Sequence, residues 1–134
     1  MSLPLALDTN LLVRLLTNDD PRQARSVADL IDGSSACFVP ITVVLELEWV
    51  LRGAYQLPRE TILHALRGLI AIRHLHLEQE EQVVQALEAY GQGLDFADAL
   101  HLLRSEGCAA LVSLDRAFVR RAGELSLTPA VREL

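Results

Sequence analysis

Leu5-Ala6-Leu7-Asp8-Thr9-Asn10 sets the architecture of this chain. Its three apolar residues show no polar alternation and read as a short buried strand that ends at Asp8. From Asn10 to Thr17 the leucines Leu11, Leu12, Leu15 and Leu16 recur at helical spacing, so the strand passes directly into a helix. Asn18-Asp19-Asp20-Pro21 starts a second helix, with Asp20 as N-cap and Pro21 at the first helical position, stopping near Gly33.

The same alternation continues along the chain. Cys37-Phe38-Val39 reads as a second buried strand closed by Pro40, and Thr42 is expected to cap a helix through Trp49 that stops at Gly53. Pro58 opens a helix that reaches the region of Ile72, and His74-Leu75-His76-Leu77 alternates with period two as a third strand. Glu78 to Tyr90 is predicted helical, ended by Gly91 and Gly93, and Asp95 starts a helix through Arg104. Ala109 to Leu114 is the fourth strand, Arg116 to Ala122 a short helix, and Leu125 to Val131 a weak last strand. Unbroken apolar strands alternating with helices imply a parallel sheet covered on both faces, an α/β sandwich. At 134 residues, with no repeat or linker, the chain is expected to form one domain over residues 1–134.

Composition narrows the chemistry. Hydrophobic residues make up 51% and charged residues 22%, which excludes disordered and low-complexity classes. All twelve basic residues are Arg, so mechanisms that need a lysine, such as Schiff-base chemistry or a P-loop, are excluded. A formal net charge of −6 makes the chain a poor non-specific binder of nucleic acid. A nucleic-acid role then needs local arginines or a divalent cation in an acidic pocket. No apolar run is long enough to span a bilayer and no basic-then-apolar leader opens the chain, so a cytoplasmic location without membrane attachment is expected. Cys37 and Cys108 match no metal spacing and read as reduced, buried thiols.

In parallel sheets, ligands bind beyond the carboxyl ends of the strands. Asp8 follows strand one and Asp115 follows Val112-Ser113-Leu114 of strand four. The plainer reading of each is an N-cap for the helix after it. Asp95 and Asp98 lie three apart at a helix start, where Asp95 reads as the cap and Asp98 shares a face with Leu94 and Leu102. Glu46 and Glu48 sit in an otherwise apolar helix, pointing about 200° apart, so one faces the crevice and the other meets solvent. Spacing alone leaves that choice open. Three or four such carboxylates together are a ligand set for Mg²⁺ or Mn²⁺, which activate water and polarise a phosphodiester.

The ordered set is more specific than its parts. Leu7-Asp8-Thr9-Asn10, Glu46-Leu47-Glu48-Trp49-Val50-Leu51, Asp95-Phe96-Ala97-Asp98-Ala99-Leu100-His101 and Leu111-Val112-Ser113-Leu114-Asp115 together resemble a PIN domain, most of all the VapC-type toxin ribonucleases of bacterial toxin–antitoxin pairs. The resemblance covers almost the whole chain. It puts the family's acids on Asp8, Glu46, Asp98 and Asp115 as catalytic metal ligands, with Asn10 and Ser113 in support. Many relatives carry a further acid two residues after the fourth; here that residue is Ala117, which leaves one metal or two open. The resemblance implies a three-layer α/β/α sandwich with a central parallel sheet, and a Mg²⁺- or Mn²⁺-dependent endoribonuclease. It also implies a homodimer and a VapB-type antitoxin that blocks the acidic pocket.

Other classes fit less well. A two-component receiver domain and a haloacid dehalogenase-type phosphatase both require a lysine, and the second also wants an acid at Asn10. A catalytically inactive PIN-like scaffold or RNA-binding module is the remaining alternative. Arg14 and Arg116 are the foremost candidates for substrate phosphates, with Arg52, Arg120 and Arg121 behind them. Trp49, Phe96 and Phe118 read as core; His74 and His76 as packing or solvent residues; and His101, one turn from Asp98, as bonded to backbone.

Overall fold

The computed structural model describes residues 3–134. The chain divides into two compact units, Met1–Glu80 and Glu81–Leu134. In the first, the order is β1 (Leu5–Ala6), α1 (Thr9–Thr17), α2 (Pro21–Gly33), β2 (Cys37–Val39), α3 (Ile41–Gly53), α4 (Arg59–Ile70) and β3 (Leu75–Leu77). The three strands pair in parallel in the order β1-β2-β3, with Leu5 opposite Cys37 and Cys37 opposite Leu75. Parallel neighbours need a crossover, and a helix pair supplies each one: α1 with α2, then α3 with α4. The second unit contains α5 (Glu80–Gly91) from its second residue onward, then α6 (Phe96–Leu103), β4 (Ala110–Ser113), α7 (Arg116–Glu124) and β5 (Ala130–Glu133). Here β4 and β5 pair in parallel with α7 as the crossover. Every strand pairing is parallel and every crossover helical, so the α/β class expected from the alternation is the class observed.

Local chemistry explains most helix starts. Asp20 caps α2 by accepting from the Gln23 N–H at 3.1 Å, with Pro21 in the first turn. Asp95 caps α6 by accepting from the Asp98 N–H at 3.1 Å. Helix α3 departs from expectation. Its N-cap is Pro40, which has no side-chain acceptor, and Thr42 lies inside the helix. The Ile41 N–H is satisfied instead by the Glu78 carboxylate at 2.8 Å, from the residue after β3. The Glu78 N–H in turn donates to the Val39 carbonyl at 2.9 Å. A distant acid has taken over the cap, and no local pattern could announce it.

The core of the first unit gathers Leu12, Ile31, Val39, Leu47, Leu51, Ile62, Leu66 and Leu69, all essentially inaccessible to solvent. Burying each such side chain contributes about 1.5–3 kcal/mol. In the second unit, Tyr90 and Phe96 meet edge to face with ring centroids 5.5 Å apart. Between them the chain turns at Gly93, whose φ of +106° suits glycine. A Cβ there would also stand 3.1 Å from Nη1 of Arg121, which donates to the Gln92 carbonyl at 3.2 Å.

Several expectations are corrected. Strand β1 is exposed at Leu5 and Ala6, and only the following Leu7 is buried. The last strand lies at Ala130–Glu133 and shares only Ala130 and Val131 with the predicted segment, because these four residues are the ones that find ladder partners, in Ala110 to Ser113. Phe96 and Phe118 are core, but Trp49 is 63% exposed. Helix α3 is apolar over more of its circumference than one face can bury, and its buried stripe is Val44, Leu47, Glu48 and Leu51. Trp49 falls off that stripe. Cys37 is buried, whereas Cys108 is an exposed thiol, and both are free.

Candidate active site

The four acids singled out by the sequence fall into two pairs. Asp8 sits two residues beyond β1 at the N-cap of α1, where its Oδ1 accepts from the Thr9 N–H at 2.8 Å. Glu46 projects from α3, and its Oε1 accepts a hydrogen bond from the Thr9 hydroxyl. Thr9 is itself buried. Asp8, Thr9, Asn10, Arg14, Glu46 and Tyr55 line a cavity of about 320 Å³. Thr9 therefore touches both carboxylates, through its backbone and its side chain. Sequence reasoning gave Thr9 no role, although it stands within the quoted motif.

Asp98 and Asp115 form the second pair. Asp115 caps α7, accepting from the Phe118 N–H at 3.1 Å, and its own N–H donates to Oγ of Ser113 at 3.0 Å. Asp98 lies half-buried in the first turn of α6. Its carboxyl is held above the ordinary Asp value, first by partial burial and then by the negative charges of Asp95 and Asp115, against a smaller pull from His101. A cation placed there would relieve both the desolvation and the repulsion. Carboxylate oxygens are the hard donors that Mg²⁺ and Mn²⁺ take, so the residues fit such an ion chemically. Among the described residues, no three His, Cys, Asp or Glu side chains stand together as a metal-ligand group. A cavity of about 360 Å³ in the second unit is lined by residues such as Gln85, Glu88 and Glu106 and by neither Asp98 nor Asp115.

Glu48 does not meet solvent, contrary to expectation. It is buried to 2% exposure on the α3 stripe, and its Oε2 accepts from Nε of Arg52 at 2.9 Å. Glu46 is the exposed one of the two. Residues two apart do diverge, but the core side of α3 claims Glu48 rather than Glu46, because Glu48 continues the i, i+3, i+4, i+7 stripe. Arg52 is thereby committed to Glu48.

The other candidate arginines also have partners. Arg116 donates from Nε to Glu133 at 2.7 Å, and Arg120 pairs with Glu124 at 3.7 Å. Arg14 donates from Nε to Gln23 at 2.8 Å, and from Nη1 to Asp19 and to the Tyr55 hydroxyl, each at 3.2 Å. Tyr55 donates in turn to Asp19 at 2.5 Å. The neighbouring Asp19 charge and the Tyr55 bond raise Arg14 further above its already high value, and the Tyr55 bond holds Asp19 below the usual Asp value. Arg14 is thus fixed at the wall of the Asp8–Glu46 cavity.

Parallel α/β units with aspartates just beyond their strand ends, capping the next helix, define a class of acidic-site α/β protein. The model of the PIN domain family matches residues 5–124, and the chain belongs to that family. Membership points to a nuclease acting on nucleic acid, and nucleases of this family generally use divalent metals. No match is found among curated proteins. No helix among the described residues is long and apolar enough to cross a membrane.

Proposed function

We propose that the protein is a Mg²⁺- or Mn²⁺-dependent endoribonuclease, the toxin of a type II toxin–antitoxin pair, acting in the cytoplasm as a homodimer. Residues 1–134 form one catalytic domain in this reading, and the span of the family match across both units supports it. Asp8, Glu46, Asp98 and Asp115 are the proposed metal ligands, with Asn10 and Ser113 in support and Arg14 and Arg116 toward substrate. The observation that carries the reading is Thr9, which engages Asp8 through its N–H and Glu46 through its hydroxyl at one cavity. The raised pKa of Asp98 beside Asp115 adds to it.

A divalent cation, when bound, supplies the polarised phosphate oxygen and the activated water of phosphodiester hydrolysis. The chain's own residues prepare for this. Thr9 orients the Glu46 carboxylate, the Ser113 hydroxyl holds the Asp115 backbone, and the guanidinium of Arg14 offers planar donors to a phosphate.

The test is cleavage of labelled RNA by the purified chain with Mg²⁺, with Mn²⁺ and with chelator. Cleavage is expected only with metal, and Asp8→Asn lowers it about a hundredfold or more. Asn keeps an N-cap acceptor for α1, so the melting temperature holds. RNA binding without cleavage would instead identify an inactive RNA-binding module. Light scattering is expected to give twice the 14.8 kDa chain mass. One unfolding transition, rather than two, is expected of a single domain. Expression in cells should arrest growth unless the antitoxin, a VapB-type protein encoded beside the chain, is co-expressed.

A further inference from the structure

Two cavities of the first unit share a wall. The one that holds Asp8 and Glu46 adjoins a second, of about 350 Å³, lined by Asn10, Leu11, Arg14, Gln23, Ser26 and Val27; Asn10 and Arg14 line both. The second cavity is built by α1 and α2, which pack on each other. Its volume falls in the range of small-ligand pockets.

Its polar groups have a definite sense. Nε and Nη1 of Arg14 are engaged by Gln23, Asp19 and Tyr55, while Nη2 has no hydrogen-bond partner among the described residues. The oxygen of the Gln23 amide is taken by Arg14 at 2.8 Å, so its nitrogen, with two donors, is turned away from the guanidinium. The Ser26 hydroxyl donates to the Arg22 carbonyl at 3.1 Å, which leaves its lone pairs as acceptors. Leu11 and Val27 add apolar wall. A fixed guanidinium between two cavities, then an amide donor and an apolar surface, matches the order phosphate, base edge and base face along a single strand.

We propose that this second cavity is a nucleotide subsite. It receives the nucleotide next to the scissile phosphate of a single-stranded RNA, with Arg14 Nη2 on the phosphate between the two cavities and the Gln23 amide donor on the base edge. This rests on the nuclease reading above.

The experiment is steady-state cleavage of short single-stranded RNAs by the full chain and by Gln23→Glu and Gln23→Ala, with substrates shortened from the 5′ or the 3′ end. Gln23→Glu keeps an oxygen for Arg14 and replaces the outward donor by an acceptor. Gln23 is exposed, and only its backbone N–H serves the α2 cap, so both variants should fold. KM is expected to rise about tenfold, as for one lost hydrogen bond to a ligand, with the change carried by KM rather than kcat. The preference for the base beside the cut should also change. Removing the nucleotide from one end, and not the other, should erase the difference between variants and parent. An unchanged KM and base preference would overturn the subsite alone, as would a KM rise that persists whichever end is shortened. A parent chain that cleaves no RNA would overturn the nuclease reading and the subsite with it.

Discussion

The Thr9 hydroxyl donates a hydrogen bond to Oε1 of Glu46, joining the first turn of α1 to α3 across 37 positions of sequence. Thr9 is buried, so the bond forms where water competes poorly. It fixes one oxygen of the carboxylate and leaves Oε2 without a partner among the described residues. Replacing Thr9 by Val keeps the shape and removes the hydroxyl. Metal-dependent cleavage is expected to fall about tenfold, with Thr9→Ser restoring it. Recovery by Ser separates positioning of Glu46 from packing, and equal losses in Val and Ser would refute the positioning role.

Glu46 and Glu48 should separate cleanly. Glu46→Gln is expected to lose metal-dependent cleavage with little change in melting temperature, because the side chain is exposed. Arg52→Ala should destabilise the fold by about 1–3 kcal/mol while sparing kcat, since it strips a cation from the buried Glu48 carboxylate. Adding Glu48→Gln to Arg52→Ala should recover part of that loss. Urea denaturation of the three variants and a cleavage assay of each decide the matter.

Asp98 predicts a pH signature. Its folded-state pKa lies above the ordinary Asp value, so between the unfolded and folded pKa the native state binds more protons than the unfolded one. Stability then falls as pH rises through that window and stays lower above it. In chelator, Asp98→Asn should melt higher than the parent at neutral pH, and this advantage should vanish below the ordinary Asp range. Mg²⁺ should raise the melting temperature of the parent more than that of the variant, by ligand linkage. A variant advantage that persists unchanged into acid would contradict the account.

Thiol chemistry checks the placement of the two cysteines. Cys108 is exposed and Cys37 buried on β2, so a thiol reagent should modify one site per native chain quickly. The second should react only on unfolding. Cys108→Ser is expected to remove the fast phase and leave cleavage unaltered.

The legible parts of this protein are the ones whose causes lie within a few residues. Asp20 before Pro21, and Asp95 three residues before Asp98, announce their caps because donor and acceptor belong to one turn. Strand β2 and its closing Pro40 could be read for the same reason. The motif blocks also pointed to the PIN family, whose match over residues 5–124 bears the resemblance out at that level. The exposure of Trp49 is not legible in sequence, because an apolar residue in an apolar helix carries no mark of which face the neighbours will cover.

Order along the chain, helix and strand type, and the acids after β1 and β4 were thus determined by the sequence itself, through short-range sterics, capping and apolar spacing. Tertiary packing alone decided that Glu48 enters the core with Arg52 while Glu46 meets Thr9. It also brought Glu78 to the open N–H of Ile41 and Tyr55 to Asp19, 36 positions earlier. The physical reason is one of range. A buried charge or an open helix end must find a partner, but when that partner lies dozens of residues away, only the packed chain selects it.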